Sequence, residues 1–340
     1  MRAVYFLGAI LLAVGLYFVP AVEIQIESPQ LGEEVQEIKK EEPISLIFVG
    51  DIMLGRNVQL LGERFGEDYP FEKVKDFLGE YDIAVGNLEG PVVSGAPRTP
   101  ANSFKFAFPT SSPMTLVTAG FNLVSLANNH TVDFGQNGYE ETANRLAEVG
   151  ISPFGHPISG DLAYVKRLEQ NGKRLAFFGY NATYPSFKKD QALSDVAVER
   201  ISSSDELIFI FMHWGEEYSS SSNAFQKQLG RELVDAGATA VIGSHPHVVQ
   251  EFEIYKNGPI FYSLGNFVFD QYFSKETQEG LMVSVNIFET KIVYEFLPVV
   301  SAKSQPVIIG SVPGAEWFGG FLGRSGIVPA SYEGSFELPL

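Results

Sequence analysis

The chain has 340 residues, of which 45% are apolar, enough for one large domain or two small cores. It has no cysteine, which excludes disulfides, thiolate metal ligands and a Cys nucleophile. With 24 Lys and Arg against 41 Asp and Glu, its formal charge of −17 argues against nucleic acid as a partner, because phosphate neutralisation needs clustered cations.

The first predicted element is a membrane segment. Ala3 to Val22 carries no charge, with Arg2 before it and Glu23 after it. About 20 apolar residues span a bilayer as a helix, and the positive end stays cytoplasmic, so the chain beyond lies outside. A retained anchor, residues 1–22, is the expectation. Cleavage near Val19-Pro20-Ala21, giving a secreted protein, is its alternative. Residues 23–43 are acidic and without apolar period, and read as a linker.

From Ile44 one arrangement repeats. Ile44–Val49 runs into Gly50-Asp51, and Tyr81–Val85 into Gly86-Asn87-Leu88-Glu89. Asn122–Leu126 ends in Asn128-Asn129-His130, Leu207–Met212 in His213-Trp214, and Thr239–Ile242 in Gly243-Ser244-His245-Pro246-His247. Short apolar runs bounded by Gly are buried strands. Helical periodicity fills the gaps: Tyr139, Ala143, Leu146 and Ala147 share one face, as do Phe225, Leu229 and Leu233. Strand–helix alternation makes this an α/β domain, expected over residues 44–304, and sites in such sheets form beyond the carboxyl ends of the strands. Lys256-Asn257-Gly258 reads as a hairpin turn, and Trp214 as a packing residue. Past Pro306 the chain turns Gly-rich, and residues 305–340 are expected to pack on the domain as irregular structure.

Four of the five histidines (His130, His213, His245 and His247) fall at these strand ends, and only His156 lies elsewhere. A single such histidine is usually structural. Four of them beside Asp51, Glu89 and Asn129 form a ligand set for divalent metals, which prime water for attack near neutral pH. Arg56 and Lys105 place positive charge nearby, suited to an anionic substrate, and Asn266 and Asp270 are candidates for orienting the ligands.

The motifs "FVGDIMLGR", "GNLEGPV", "SLANNHTVDFG", "MHWGEEY" and "GSHPHVVQEFEIYKNGPIFYSLGNFVFD" resemble, in order and spacing, the bacterial capsule synthesis proteins of the CapA type, over about Ile44 to Asp270. That family is similar to the calcineurin-like metallophosphoesterases. The resemblance implies a four-layer αββα sandwich with one or two divalent ions (Mn, Zn or Fe). It implies Asp51 and His247 as ligands of a first metal, Asn129, His213 and His245 of a second, and His130 as general acid. Two positions depart from the superfamily. Met53 stands in place of a histidine ligand, and Asn87 in place of the metal-bridging aspartate, where Glu89 is the residue able to compensate. The implied function is a membrane-anchored, extracytoplasmic hydrolase or transferase acting on an anionic polymer such as poly-γ-glutamate, or on a phosphoester. A non-catalytic protein that guides the exported polymer is the alternative. No Gly-x-x-x-x-Gly-Lys-Ser/Thr loop occurs, so ATP-dependent synthesis subunits at the membrane must drive polymerisation.

Overall fold

The structure is a computed structural model that describes residues 42–309, 316–326 and 334–340. The expected membrane segment, and the linker up to residue 41, lie outside the described residues. No helix among those described is long and apolar enough to cross a membrane.

The chain first lays down parallel strands β1 (Ile44–Ile52), β2 (Ile83–Leu88), β3 (Leu123–Ser125) and β4 (Ser152–Phe154). It then builds a second sheet from β5 (Lys166–Gln170), β6 (Lys173–Asn181), β7 (Leu207–His213), β8 (Ala240–Ser244), β9 (Phe252–Tyr255) and β10 (Gly258–Phe261). It returns to the first sheet with β11 (Asn266–Val268), β12 (Glu279–Ile287), β13 (Lys291–Ala302), β14 (Gln305–Ile308) and β15 (Ser335–Pro339). The first sheet runs β14-β13-β12-β1-β2-β3-β4, with β11 on β1 and β15 on β13; the second runs β5-β6-β7-β8-β10-β9. Crossovers supply helices α1 (Arg56–Phe65), α2 (Lys75–Leu78), α3 (Ser112–Thr118), α4 (Gly135–Glu148), α5 (Lys189–Ser202) and α6 (Ala224–Ala236), and α7 (Glu316–Arg324) lies near the end of the chain.

The alternation of side chains along a strand sorts the core into layers. Leu46 and Phe48 of β1 face the second sheet, where Phe48 lies 5.5 Å from Phe209 and 6.5 Å from Phe177. Ile47 and Val49 face the other way, onto Val58, Leu116 and Leu146 of α1, α3 and α4. Behind the second sheet, Ile208 and Ile210 pack on Ala192 and Val196 of α5 and Leu229 and Leu233 of α6. The order is therefore helix, sheet, sheet, helix, the four layers that the resemblance implies.

Three local expectations are corrected. Phe225 is 43% exposed, because α6 starts at Ala224 with Asn223 as its cap, and it is Gln226 that turns inward. Ala147 is exposed at the end of α4, where Thr142 is buried instead. The described residues of the Gly-rich tail form regular elements: β14 and β15 extend the first sheet, and Phe318, Phe321 and Leu322 of α7 insert into the core between the sheets. Each helix-interior Gly costs about 1 kcal/mol of propensity, less than burying one Phe contributes. The expected boundary at residue 304 falls in the β13–β14 hairpin. Trp214 is fully buried and donates Nε1–H to the Tyr262 carbonyl at 2.8 Å, and Lys256-Asn257 is the turn of the β9–β10 hairpin.

Candidate metal centre

The carboxyl ends of both sheets open onto one cluster. In the first sheet, Asp51 is in register with Asn87 on β2 and with Asn266 on β11. This close approach of β11 needs glycine before Asp51, since a Cβ on Gly50 would lie 1.9 Å from the Gly265 carbonyl oxygen. Glu89 follows β2, its N–H bonded to the Ile52 carbonyl at 2.9 Å. Asn128, Asn129 and His130 follow β3. The second sheet contributes imidazoles: His213 ends β7, and His245 and His247 follow β8. Both of the latter have left-handed backbones (φ 95° and 60°), a conformation that costs non-glycine residues roughly 1–3 kcal/mol and clusters at functional sites.

The geometry brings Asp51, Asn87, Glu89, Asn129, His213, His245 and His247 together. Asp51 Oδ1 accepts from Asn87 Nδ2 at 2.8 Å, and Oδ2 from the His245 N–H at 3.2 Å. His247 Nδ1 lies 3.3 Å from Asp51 Oδ2 and 3.0 Å from Asn266 Oδ1; its Nε2 lies 3.7 Å from Glu89 Oε1. His213 Nε2 meets Asn129 Oδ1 at 2.7 Å, and its Nδ1 meets Ser244 Oγ at 3.0 Å. Two compact ligand groups emerge, with all ligand atoms in each within 4.8 Å: Glu89, His245 and His247; and Asp51, Glu89 and His213. The His245 ring also lies 4.6 Å from that of His213 and 6.0 Å from that of His247, so it stands within reach of both groups.

Burial sets the charges. Desolvation, then neighbouring His245, His247 and His130, holds His213 well below the usual imidazole range. Desolvation followed by His247 pushes His245 down to about 4. Both rings are therefore neutral at pH 7, with lone pairs available to a cation. Glu89 is raised well above the usual carboxylate range, by its burial first and by Asp51 second. Two adjacent buried carboxylates need a proton or a cation between them. Both oxygens of Glu89 and Nδ1 of His245 are buried without a hydrogen-bond partner among the described residues. Such atoms are rare and costly unless something binds them, so these residues fit a divalent ion.

The remaining predicted residues take different places. His130 Nδ1 lies 3.0 Å from Asp133 Oδ2, which also accepts the Phe106 N–H at 2.7 Å, and the Phe106 ring covers the imidazole at 4.1 Å. Asn266 Oδ1 lies 3.0 Å from His247 Nδ1. Asp270 instead binds Arg56 Nη2 and the Asn57 N–H (3.1 Å), anchoring the start of α1. Arg56 is buried between Phe106 and Phe269, with Nη1 on the Ser103 carbonyl, so its charge reaches the cluster as a field rather than as a free hand. Lys105 is exposed, with Nζ 4.2 Å above the Phe134 ring. Met53 is fully buried and accepts the Gly55 N–H on its sulfur at 3.1 Å, so it faces packing rather than the cluster.

Sequence reasoning missed Asn128, Asp133 and Ser244. Asn128 Oδ1 accepts from the N–H groups of His130 and Thr131 and from the Thr131 hydroxyl, a local turn that leaves Asn129 to face His213. An Asn followed by Thr three residues later was the available signal.

Fold and site define a class: a four-layer α/β protein with a histidine–carboxylate cluster where its two sheets meet. Residues 45–271 match the bacterial capsule synthesis protein PGA_cap, and the chain belongs to that family. It is 33% identical to the capsule biosynthesis protein CapA of Bacillus anthracis over 79% of this chain and 71% of that one. It is 32% identical to the PGA biosynthesis protein CapA of Bacillus subtilis (strain 168), over 71% and 67%. A probable polyglutamine synthesis accessory protein of Mycobacterium tuberculosis (strain CDC 1551 / Oshkosh) is 24% identical over 56% of each chain.

Proposed function

We propose that the chain is a membrane-anchored, extracytoplasmic capsule-synthesis protein that acts as a metal-dependent hydrolase or transferase. Its substrate is the anionic polymer, poly-γ-glutamate, or a phosphoester in the polymer's assembly. The observation that carries this reading is the set of neutral imidazoles and unpartnered Glu89 oxygens buried at one sheet-to-sheet seam. The four-layer order of elements agrees with a metallophosphoesterase-like ancestry. Glu89, Asp51, Asn129, His213, His245 and His247 would hold the ion. A divalent ion there supplies a Lewis acid for polarising the scissile bond and lowering the pKa of water.

The chain's own residues do the rest. Asp133 holds His130 by Nδ1, and His130 Nε2, which makes no hydrogen bond among the described residues, delivers a proton to the departing group. Asn266 keeps a proton on His247 Nδ1, which leaves Nε2 as the lone pair facing Glu89. The buried Arg56 offsets part of the negative charge on Glu89. Energy for polymerisation comes from ATP-dependent partner subunits.

The purified chain should turn over poly-γ-glutamate or a generic phosphodiester in Mn²⁺ and lose that activity in EDTA. His130→Gln should lower kcat by about 10² to 10⁴ with metal content unchanged. Full turnover by His130→Gln would refute its role as general acid, and absence of turnover by the wild type would refute the catalytic reading. It would leave the second one, a non-catalytic guide for the polymer, which is favoured by an amide at Asn87 and an inward-facing Met53.

A further inference from the structure

We propose that Glu89 is the carboxylate shared by two metal positions, in the role that Asn87 cannot fill; this rests on reading the cluster as a metal centre. Asn87 is committed on both sides. Its Oδ1 accepts from Asn128 Nδ2 at 3.0 Å. Its Nδ2 donates to Asp51 Oδ1 at 2.8 Å and faces His213 Nδ1 at 3.3 Å. The amide thus turns its hydrogens, not its oxygen, toward the cluster, and N–H groups repel a cation.

Asn87 cannot relieve this by flipping. Asn128 Nδ2 also donates to the Leu88 carbonyl at 2.8 Å, and Asn128 Oδ1 accepts three bonds from His130 and Thr131. A flipped Asn87 would set its own NH₂ against the NH₂ of Asn128. The site is wired against coordination by Asn87.

Glu89 has the opposite character. It lies two residues beyond Asn87, just past the end of β2, and its side chain is one methylene longer. It is fully buried with both carboxylate oxygens unpartnered, and it alone belongs to both compact ligand groups. Its Oε1 stands 3.7 Å from His247 Nε2. Two ligands of one ion, each bound at about 2.1 Å, sit about 3.4 Å apart in tetrahedral geometry, so little movement is needed. One oxygen can serve the group with His245 and His247, and the other the group with Asp51 and His213.

The test is metal stoichiometry and electron paramagnetic resonance of the purified full-length chain loaded with Mn²⁺. The wild type should bind two ions with an exchange-coupled spectrum. Glu89→Gln should abolish the coupling and weaken retention of metal at least 10-fold, and Glu89→Asp, which keeps the charge but shortens the reach, should also lose the coupling. Asn87→Ala should keep two coupled ions. A coupled pair in both Glu89 variants, or its loss in Asn87→Ala, overturns the assignment. One uncoupled ion in the wild type overturns the sharing but leaves the metal centre standing, and no bound ion overturns both.

Discussion

Replacing Asn87 by Asp tests how the cluster manages its charge. In the folded chain Asn87 Nδ2 donates to Asp51 Oδ1 at 2.8 Å. Asn87→Asp removes that donor and sets a third carboxylate against Asp51 and Glu89, all three positions being fully buried. Two carboxylates about 3 Å apart repel by roughly 5–6 kcal/mol at an effective dielectric near 20, and the lost hydrogen bond to a charged group adds about 1.5–3 kcal/mol. Uptake of a proton relieves part of this, leaving about 3–5 kcal/mol of destabilisation without metal at pH 7, or about 10 °C in Tm. The new acid's pKa is raised by folding, so the folded state binds more protons. The deficit therefore grows as pH rises above the unfolded carboxylate pKa and shrinks toward pH 4. Mn²⁺ at 100 times its Kd adds about 2.7 kcal/mol, and the variant should bind it more tightly than the wild type. The assay is thermal unfolding in EDTA and in Mn²⁺ at pH 5 and pH 7. A metal-free variant as stable as the wild type at pH 7 would refute this account of the cluster's charges.

Three further predictions concern other parts of the molecule. Asn266→Ala removes the nearer of the two oxygens beside His247 Nδ1 and should weaken metal binding by about 10- to 100-fold without unfolding the chain, as measured by competition with a chelating dye. Glu206, buried with one oxygen unpartnered, has its pKa pushed up to about 7 from 4.5 by burial and then by Glu199. Stability should be full below pH 4.5 as far as this group is concerned, fall as pH rises to about 7 and level off; Glu206→Gln should flatten that slope and stabilise the chain at pH 8 by about 1–2 kcal/mol in urea denaturation. The proposed topology predicts that protease added to spheroplasts digests the domain from Ile44 onward, and protection of that domain would refute it.

The strand ends were legible because each apolar run stops at polar residues, after a Gly in three of the five, and seven of the residues at those ends meet in the cluster. What was not legible depended on geometry over long separations. The direction of Glu89 requires β2 to stay extended through Leu88, which an apolar period ending at Val85 does not reveal. Arg56 and Asp270 meet across 214 positions, so the charge expected to greet substrate is anchored by a residue expected to orient ligands. Asn128 and Asn129 are chemically identical neighbours, and only the turn built by Thr131 decides which one faces His213. Helix α7 was hidden by Gly319, Gly320 and Gly323, whose poor propensity is overridden by the aromatic side chains they carry into the core.

The claim on which the rest depends is that the buried cluster is a metal centre. Anomalous diffraction from crystals equilibrated with millimolar Mn²⁺ tests it most directly. The account predicts anomalous peaks within bonding distance of Glu89, His245 and His247, and of Asp51, Glu89 and His213. An intact fold with no anomalous density among those side chains would contradict it.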